Sequence, residues 1–472
     1  MATTTTGALG GSLQLRRRVI SHHPMEAAAL WTAGFASLFV FFLIPLAFFF
    51  GRHYKGRELE KPPLPPSPPS WIPVLGHLHL VKPPVHSALA ELSRRHAAPV
   101  LLLRLGTRRA LVVSSPAAVE ECFTANDVAF ASRPRSLAGR HLSYDNTTVT
   151  TAPYGRLWRD LRRVATVEVL SARRLHGFSP VRSEEVRSLV RRLFVGAGGG
   201  GGPPPSSPPA WVKAELSAGV FGLALNVMTR MTAGRRYYGE GPEGTEAARG
   251  FQEIVEESLR LRGVTNRWDF LPWLRWVDLR GVERRMRRLR RTRDAFLQRL
   301  VDEHRSRRRR EKDDGDGERR TAVEVMLSLQ ESDPGFYTDD IIKSFVVGLL
   351  SPGSDTTAGT IEWAMSLLLN HPEAMRTLRA ELDEEVEPGG GGRMVEEEDL
   401  PRLPFLHAVV QETLRLHPAA PLLVPHESTA DCTVGGFHVP RGTVLLVNAW
   451  AIHRDPTLWG DDAGEFRPER FL

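Results

Sequence analysis

The longest apolar stretch of the chain runs from Ala27 to Phe50, AAALWTAGFASLFVFFLIPLAFFF, 24 residues with no charge. About 20 apolar residues cross a bilayer core, so this run is long enough to span one. It ends in Phe48-Phe49-Phe50, a poor site for a signal peptidase, and predicts an uncleaved anchor. Beyond it the pattern is mostly helical. Val282, Met286, Leu289, Phe296 and Leu300 recur at helical spacing among arginines, which puts the arginines on the solvated faces of one amphipathic helix. A second long helix is predicted over Asp339–Asn370, with Thr338, Asp339 and Asp340 at its start and His371-Pro372 as its stop. Pro352 in its middle removes a backbone bond to Gly348 and should kink the ladder. Cys122 falls in a helical stretch, and Cys432 in a strand and turn before Gly435-Gly436.

Four low-complexity segments break the pattern. The tract from Lys61 to Trp71, KPPLPPSPPSW, cannot be helical and reads as a semi-rigid extended spacer. The others, 196–209, 305–320 and 388–393, are rich in Gly and Pro or in charge and read as surface loops. The organisation expected is an N-terminal extension (1–26), a transmembrane anchor (27–50), a basic, proline-rich hinge (51–70) and one large domain (71–472). Arg16 to Arg18 before the span nearly balance Arg52, Lys55 and Arg57 after it. Initiation at Met25 would leave only the downstream cluster, facing the cytosol. Asn146-Thr147-Thr148 is a formal glycosylation sequon whose use would mark the opposite orientation. The orientation expected is a cytosolic body.

Composition narrows the classes. With 472 residues, 42% hydrophobic and 25% charged, the chain is neither disordered nor collagenous nor a multi-span membrane protein. Two cysteines exclude a disulfide scaffold and a multi-cysteine zinc site, and point to a reducing compartment. A net charge of +7 selects no partner. Gly196, Gly198 and Gly201 match dinucleotide-binding spacing, but three prolines follow where a helix must start. The arginines of 284–310 belong to the amphipathic helix, so no nucleic-acid partner is expected. His77, His79 and His86 stand beside Pro and Gly, expected in a loop.

Chemistry concentrates in three places. In the second long helix, Ser351-Pro352-Gly353-Ser354-Asp355-Thr356-Thr357 sets an acid and an alcohol side by side among apolar residues. That suits proton handling in a dry pocket; it equally suits a core helix whose Asp355 meets a basic partner. Glu412 and Arg415 are three apart and can pair on one helix face. The chain's last residues include Phe466-Arg467-Pro468-Glu469-Arg470-Phe471.

Taken in order, the anchor, the proline hinge, Trp158-x-x-x-Arg162, the Ser351–Thr357 segment, Glu412-x-x-Arg415 and Pro468-Glu469-Arg470-Phe471 resemble the plant, membrane-anchored cytochrome P-450 superfamily of heme-thiolate monooxygenases. Asn226–Gly239, IEWAMSLLLNHPE and LLVPHES…DCTVGGFHVPRGT look most like its isoflavone-hydroxylase group. The resemblance implies a mainly α fold with small β-sheets, a single large heme domain behind the transmembrane helix. It also implies insertion of one atom of dioxygen into a small apolar plant metabolite. Electrons would come from NADPH through a flavoprotein reductase, at the endoplasmic reticulum membrane.

By the same resemblance, Trp158, Arg162 and His426 would bind the heme propionates, and Asp355 and Thr356 would relay protons to dioxygen. Glu412, Arg415 and Arg470 would form a structural triad. Ser136–Thr151, Phe221–Asn226 and Leu422–Val424 would line the substrate pocket. Two departures stand out. Pro352 replaces the usual Ala or Gly. The family's iron-binding cysteine is expected beyond Leu472, Cys122 and Cys432 being unlike it, so no metal ligand is assigned here. The alternative expectation is an inactive, membrane-anchored fragment without a thiolate.

Overall fold

The computed structural model describes residues 62–69, 72–195, 213–237, 246–261, 269–273, 281–310, 320–386 and 393–472. The expected anchor, 27–50, lies outside them, and among the described residues no helix is long and apolar enough to cross a membrane. Pro62–Leu472 forms one compact unit.

Two β-rich runs start it. Val100–Leu105 (β1) largely alternates buried and less buried positions, Arg108–Val113 (β2) is buried throughout from Ala110, and the two pair antiparallel. Gly106 makes their turn at φ 57, where a Cβ would lie 2.1 Å from the Phe270 carbonyl oxygen. His426–Glu427 (β3), Cys432–Val434 (β4), Phe437–Val439 (β5) and Thr443–Val447 (β6) come from the far end of the chain. β6 runs parallel to β2 and antiparallel to β3, giving the order β1-β2-β6-β3, while β4 and β5 form a separate hairpin. The described proline residues join this sheet instead of standing away from it. Pro66 accepts from Leu102 N (2.8 Å), Pro63 from His438 N (2.9 Å) and Pro68 from His77 Nε2 (3.0 Å). Prolines offer only carbonyls, and here three of these are used.

Helices make up the rest. The first six are α1 (Val85–Arg95), α2 (Pro116–Phe123), α3 (Leu137–Leu142), α4 (Arg156–Arg163), α5 (Ala172–Gly177) and α6 (Ser179–Phe194). Next are α7 (Leu216–Ala233), α8 (Glu246–Leu261) and α9 (Val282–Arg310). Then come α10 (Ala322–Ser332), α11 (Asp339–Asn370), α12 (Pro372–Glu385) and α13 (Pro404–Leu416). His86 therefore belongs to the first turn of α1, not to a loop. Arg305–Arg310 likewise extend α9, because Arg305 is held by Asp302 (2.9 Å) and Asp339 (2.7 Å); basic residues also suit a helix C-terminus. The stripe Val282, Met286, Leu289, Phe296 and Leu300 is buried in the main core with Phe345 and Val346 of α11.

α11 is the axis of this core. Thr338 Oγ1 caps it by accepting from Ile341 N at 3.4 Å. The helix runs unbroken through Pro352, so the lost hydrogen bond does not end it. Gly353 lets it approach α7, since a Cβ there would meet the Met228 Cε at 2.7 Å. Asn226 of α7 donates to the buried Glu185 of α6 at 3.3 Å and ties the two helices together. Asn146 of the sequon is buried at φ 62, so a glycan could reach it only by opening the loop.

Candidate active site

The sheet and α4 together assemble a cationic cluster. Glu427 N donates to Ser132 O at 2.9 Å, and this bridge sets Arg133 beside β3. Arg133 Nη1 then donates to the carbonyls of Val424 (2.9 Å) and Pro425 (3.0 Å). Its Nε is buried without a hydrogen-bond partner. Burial, and then the Arg162 charge, lower its affinity for its proton. Arg162 reaches back over Trp158, its guanidinium carbon 5.3 Å from the ring centroid. Among the described residues no carboxylate stands within ion-pair distance of Arg133 or Arg162. Buried donors without partners are rare in folded proteins, and unpaired buried charge is costly. The cluster fits an anionic ligand.

His426 completes it. Its Nδ1 lies 2.5 Å from the Phe130 carbonyl oxygen, and its ring meets Phe123 edge-on at 5.1 Å. A carbonyl only accepts, so the neutral ring carries its proton on Nδ1 and leaves Nε2 as an acceptor. Burial, then the charge of Arg133, push its pKa down to about 4. Between that value and about 6.5 the unfolded chain binds the proton and the folded one does not. The stability of the heme-free protein should therefore fall as pH drops from about 6.5 towards 4. Replacing His426 by Gln should flatten that limb in urea melts across the window, and an unchanged slope would assign it to other groups.

On α11, Asp355 is half-buried and Thr356 is exposed. Thr356 Oγ1 donates to the Pro352 carbonyl at 2.7 Å. Ser344 Oγ of the same helix donates to Thr147 O at 3.3 Å, and Gly348 lets Thr148 and Val149 pack close. The loop after α3 is thus fastened about two to three turns before the acid–alcohol pair. Leu423 and Val424 are partly exposed, Leu423 at φ 51.

Behind the cluster the structure brings Glu412, Arg415 and Arg470 together. Glu412 is fully buried and takes both ends of the Arg415 fork, at 2.6 and 2.7 Å. Arg470 Nε stands 3.5 Å from Glu412 Oε1, an ionic contact rather than a hydrogen bond. Arg415 also donates to the carbonyls of His453, Ala463 and Glu465. The two cysteines lie elsewhere, in the apolar cluster of β4, β5 and α2. Burial pushes the Cys122 thiol up to about 12 and the Cys432 thiol up to about 11.

Arg133 is the residue that spacing did not single out. Its partners are 291 and 292 positions away, and only the fold carries it to His426.

The body is mainly helical with a small mixed sheet, it gathers Arg133, Arg162 and His426 in one cluster, and its long helix bears an acid and an alcohol. The cytochrome P-450 family profile matches residues 65–472, and the chain belongs to that family of heme-thiolate monooxygenases. It is 46% identical to cytochrome P-450 81Q32 of Catharanthus roseus over 86% of this chain and 77% of that one. It is 44% identical to isoflavone 3'-hydroxylase of Medicago truncatula, covering 86% of this chain and 78% of that one. A zebra fish cytochrome P-450 solved with progesterone superposes with a TM-score of 0.67 at 28% identity, over 83% and 84% of the two chains.

Proposed function

We propose that this protein hydroxylates an apolar plant secondary metabolite of the flavonoid kind. Its electrons come from NADPH through a flavoprotein reductase, and its body faces the cytosol from the endoplasmic reticulum membrane. The observation that carries the reading is the acid-free cluster of Arg133, Arg162 and His426, with a buried donor to spare. It fits the paired carboxylates of heme, since charge-assisted arginine–carboxylate bonds are the strong, directional kind. When bound, heme supplies reductive activation of dioxygen.

Arg133 and Arg162 would each take a carboxylate, with Trp158 backing Arg162. His426 can donate from Nε2 only after gaining a proton there, so carboxylate binding would raise its pKa from about 4. Thr356 would have to turn its hydroxyl from the Pro352 carbonyl before passing a proton. Asp355 would supply that proton from the half-buried side of the helix. Glu412, Arg415 and Arg470 hold the proximal framework and touch no reactant.

The second reading is a membrane-anchored protein without turnover. Neither Cys122 nor Cys432 is the iron ligand of the first reading: both lie in an apolar cluster that raises their pKa, and the thiolate is the form that ligates metal. The deciding experiment is reconstitution of the full chain with heme, followed by the ferrous carbon monoxide spectrum and an assay on isoflavones with NADPH and reductase. A thiolate-type spectrum with hydroxylated product supports the monooxygenase. Colourless protein, or a spectrum without a thiolate signature, supports the second reading.

A further inference from the structure

A cavity of about 660 Å³ opens between the β1–β2 turn, the loop entering α3 and residues 269–272. It shares no residue with the Arg133 cluster. Arg108, Arg135 and Arg140 line it, with Asp145, Asn146 and Asp269. Its acids are engaged: Asp269 accepts from Leu137 N at 2.8 Å, while Asp145 stands 3.4 Å from Arg290 and 4.0 Å from Arg140. Glu427 lies behind Arg108 and Arg135: burial raises its pKa, and the two charges offset only part of that rise. Among the described residues, no carboxylate is within ion-pair distance of Arg108 or Arg135; Arg108 Nη2 donates to Arg135 O at 2.5 Å.

A second observation points to an occupant. Asn146, only 7% exposed, lines the cavity, with its Oδ1 buried against Gly139 of α3. It closes a run, Tyr144-Asp145-Asn146, in which three consecutive non-glycine residues have φ of 48, 57 and 62. Such backbone persists only where its surroundings fix it, and it gathers at binding sites. Here Tyr144 Oη donates to Asp294 at 3.0 Å and pins the run.

We propose that this cavity binds the phosphate group of a larger, partly apolar molecule. Guanidinium forks match phosphate oxygens in pairs, and several of them suit a group carrying more than one charge. The volume exceeds a bare phosphate, and Leu137 and Pro272 offer apolar wall. The group could arrive on a membrane phospholipid or on a soluble phosphate ester. The proposal goes beyond the monooxygenase reading and does not rest on it.

The test places the full chain in phosphatidylcholine nanodiscs and follows phenylglyoxal modification of individual arginines by mass spectrometry. Exposed Arg291 of α9 serves as reference. Phosphatidic acid in the disc, or glycerol 3-phosphate in solution, should slow modification of Arg135 and Arg140 but not of Arg291. Protection by phosphatidic acid alone identifies a headgroup, and protection by the soluble ester alone identifies a soluble ligand. Protection by both identifies a site for the phosphate itself. Replacing Arg108 by Leu should weaken protection of Arg135 and Arg140 by the same ligand about tenfold, as expected for one lost hydrogen bond to a charged group. No protection by either probe, or equal protection of Arg291, overturns the proposal. No arm measures heme or turnover, so failure here leaves the enzyme reading untouched.

Discussion

Replacing Glu412 by alanine should cost about 3–5 kcal/mol of folding free energy, the penalty for stranding a buried charge. Arg415 is 3% exposed and carries its fork onto Glu412; without the carboxylate its charge keeps only carbonyl dipoles and the Trp459 ring, 4.9 Å away. The effect spreads to the end of the chain. Glu412 also accepts from Arg467 N at 2.9 Å, and Arg415 fastens the carbonyls of residues 453, 463 and 465. Arg415→Lys should recover little, since one ammonium cannot reproduce a planar fork that meets five acceptor atoms. Replacing both residues by leucine should also stay destabilised, because three carbonyls, that of Ala463 buried, lose their donor. Urea unfolding of the three variants gives the free energies, and hydrogen exchange over 453–472 locates the loss. A cost under about 1 kcal/mol for Glu412→Ala would place the pair among the weak ion pairs typical of surfaces.

That triad shows what a sequence can and cannot disclose. The three-residue spacing of Glu412 and Arg415 on one helix face is local and legible, as is the amphipathic stripe of α9. The cap and stop of α11 were equally visible, because a helix end is set by a few adjacent residues. The burial that turns a common surface pattern into a strong interaction was not visible. It depends on the segment 453–471 folding over α13, which no local pattern encodes. Arg133 makes the same point for the site. Nothing around it in sequence distinguishes it from Arg135, yet the Ser132–Glu427 bridge directs the one beside His426 and leaves the other at a separate cavity. The proline tract, expected as a semi-rigid extended spacer, uses three of its carbonyls to meet donors on the body, and a stiff extended chain has little entropy to lose there. The reading of the loop as starting at Arg305 failed because composition alone marked its boundary, while Asp339 of another helix holds Arg305–Arg310 in α9; 311–319 lie outside the described residues.

The carboxylate assignment predicts a second large effect, which can be separated from iron chemistry. Protoporphyrin and its dimethyl ester have the same ring and differ in the two carboxylates alone. The wild-type protein should prefer the free acid by about a hundredfold or more, since two hydrogen-bonded charge pairs contribute about 1.5–3 kcal/mol each. Arg162→Leu should remove about tenfold or more of that preference. Because the Arg162 side chain is exposed, its replacement should change heme-free stability by less than about 0.5 kcal/mol. Arg133→Leu should cost the preference more, and stability as well, since its bonds to Val424 and Pro425 go with it. His426 adds a pH signature. Its Nε2 must gain a proton to meet a carboxylate, so acid binding should take up a proton and tighten as pH falls from neutrality towards about 4. The ester should show no such dependence, and His426→Gln should abolish it for the acid. Fluorescence titration of the two porphyrins into the four proteins measures every term. Equal affinity for acid and ester in the wild type would remove the carboxylates from this cluster, and with them the observation on which the heme site rests.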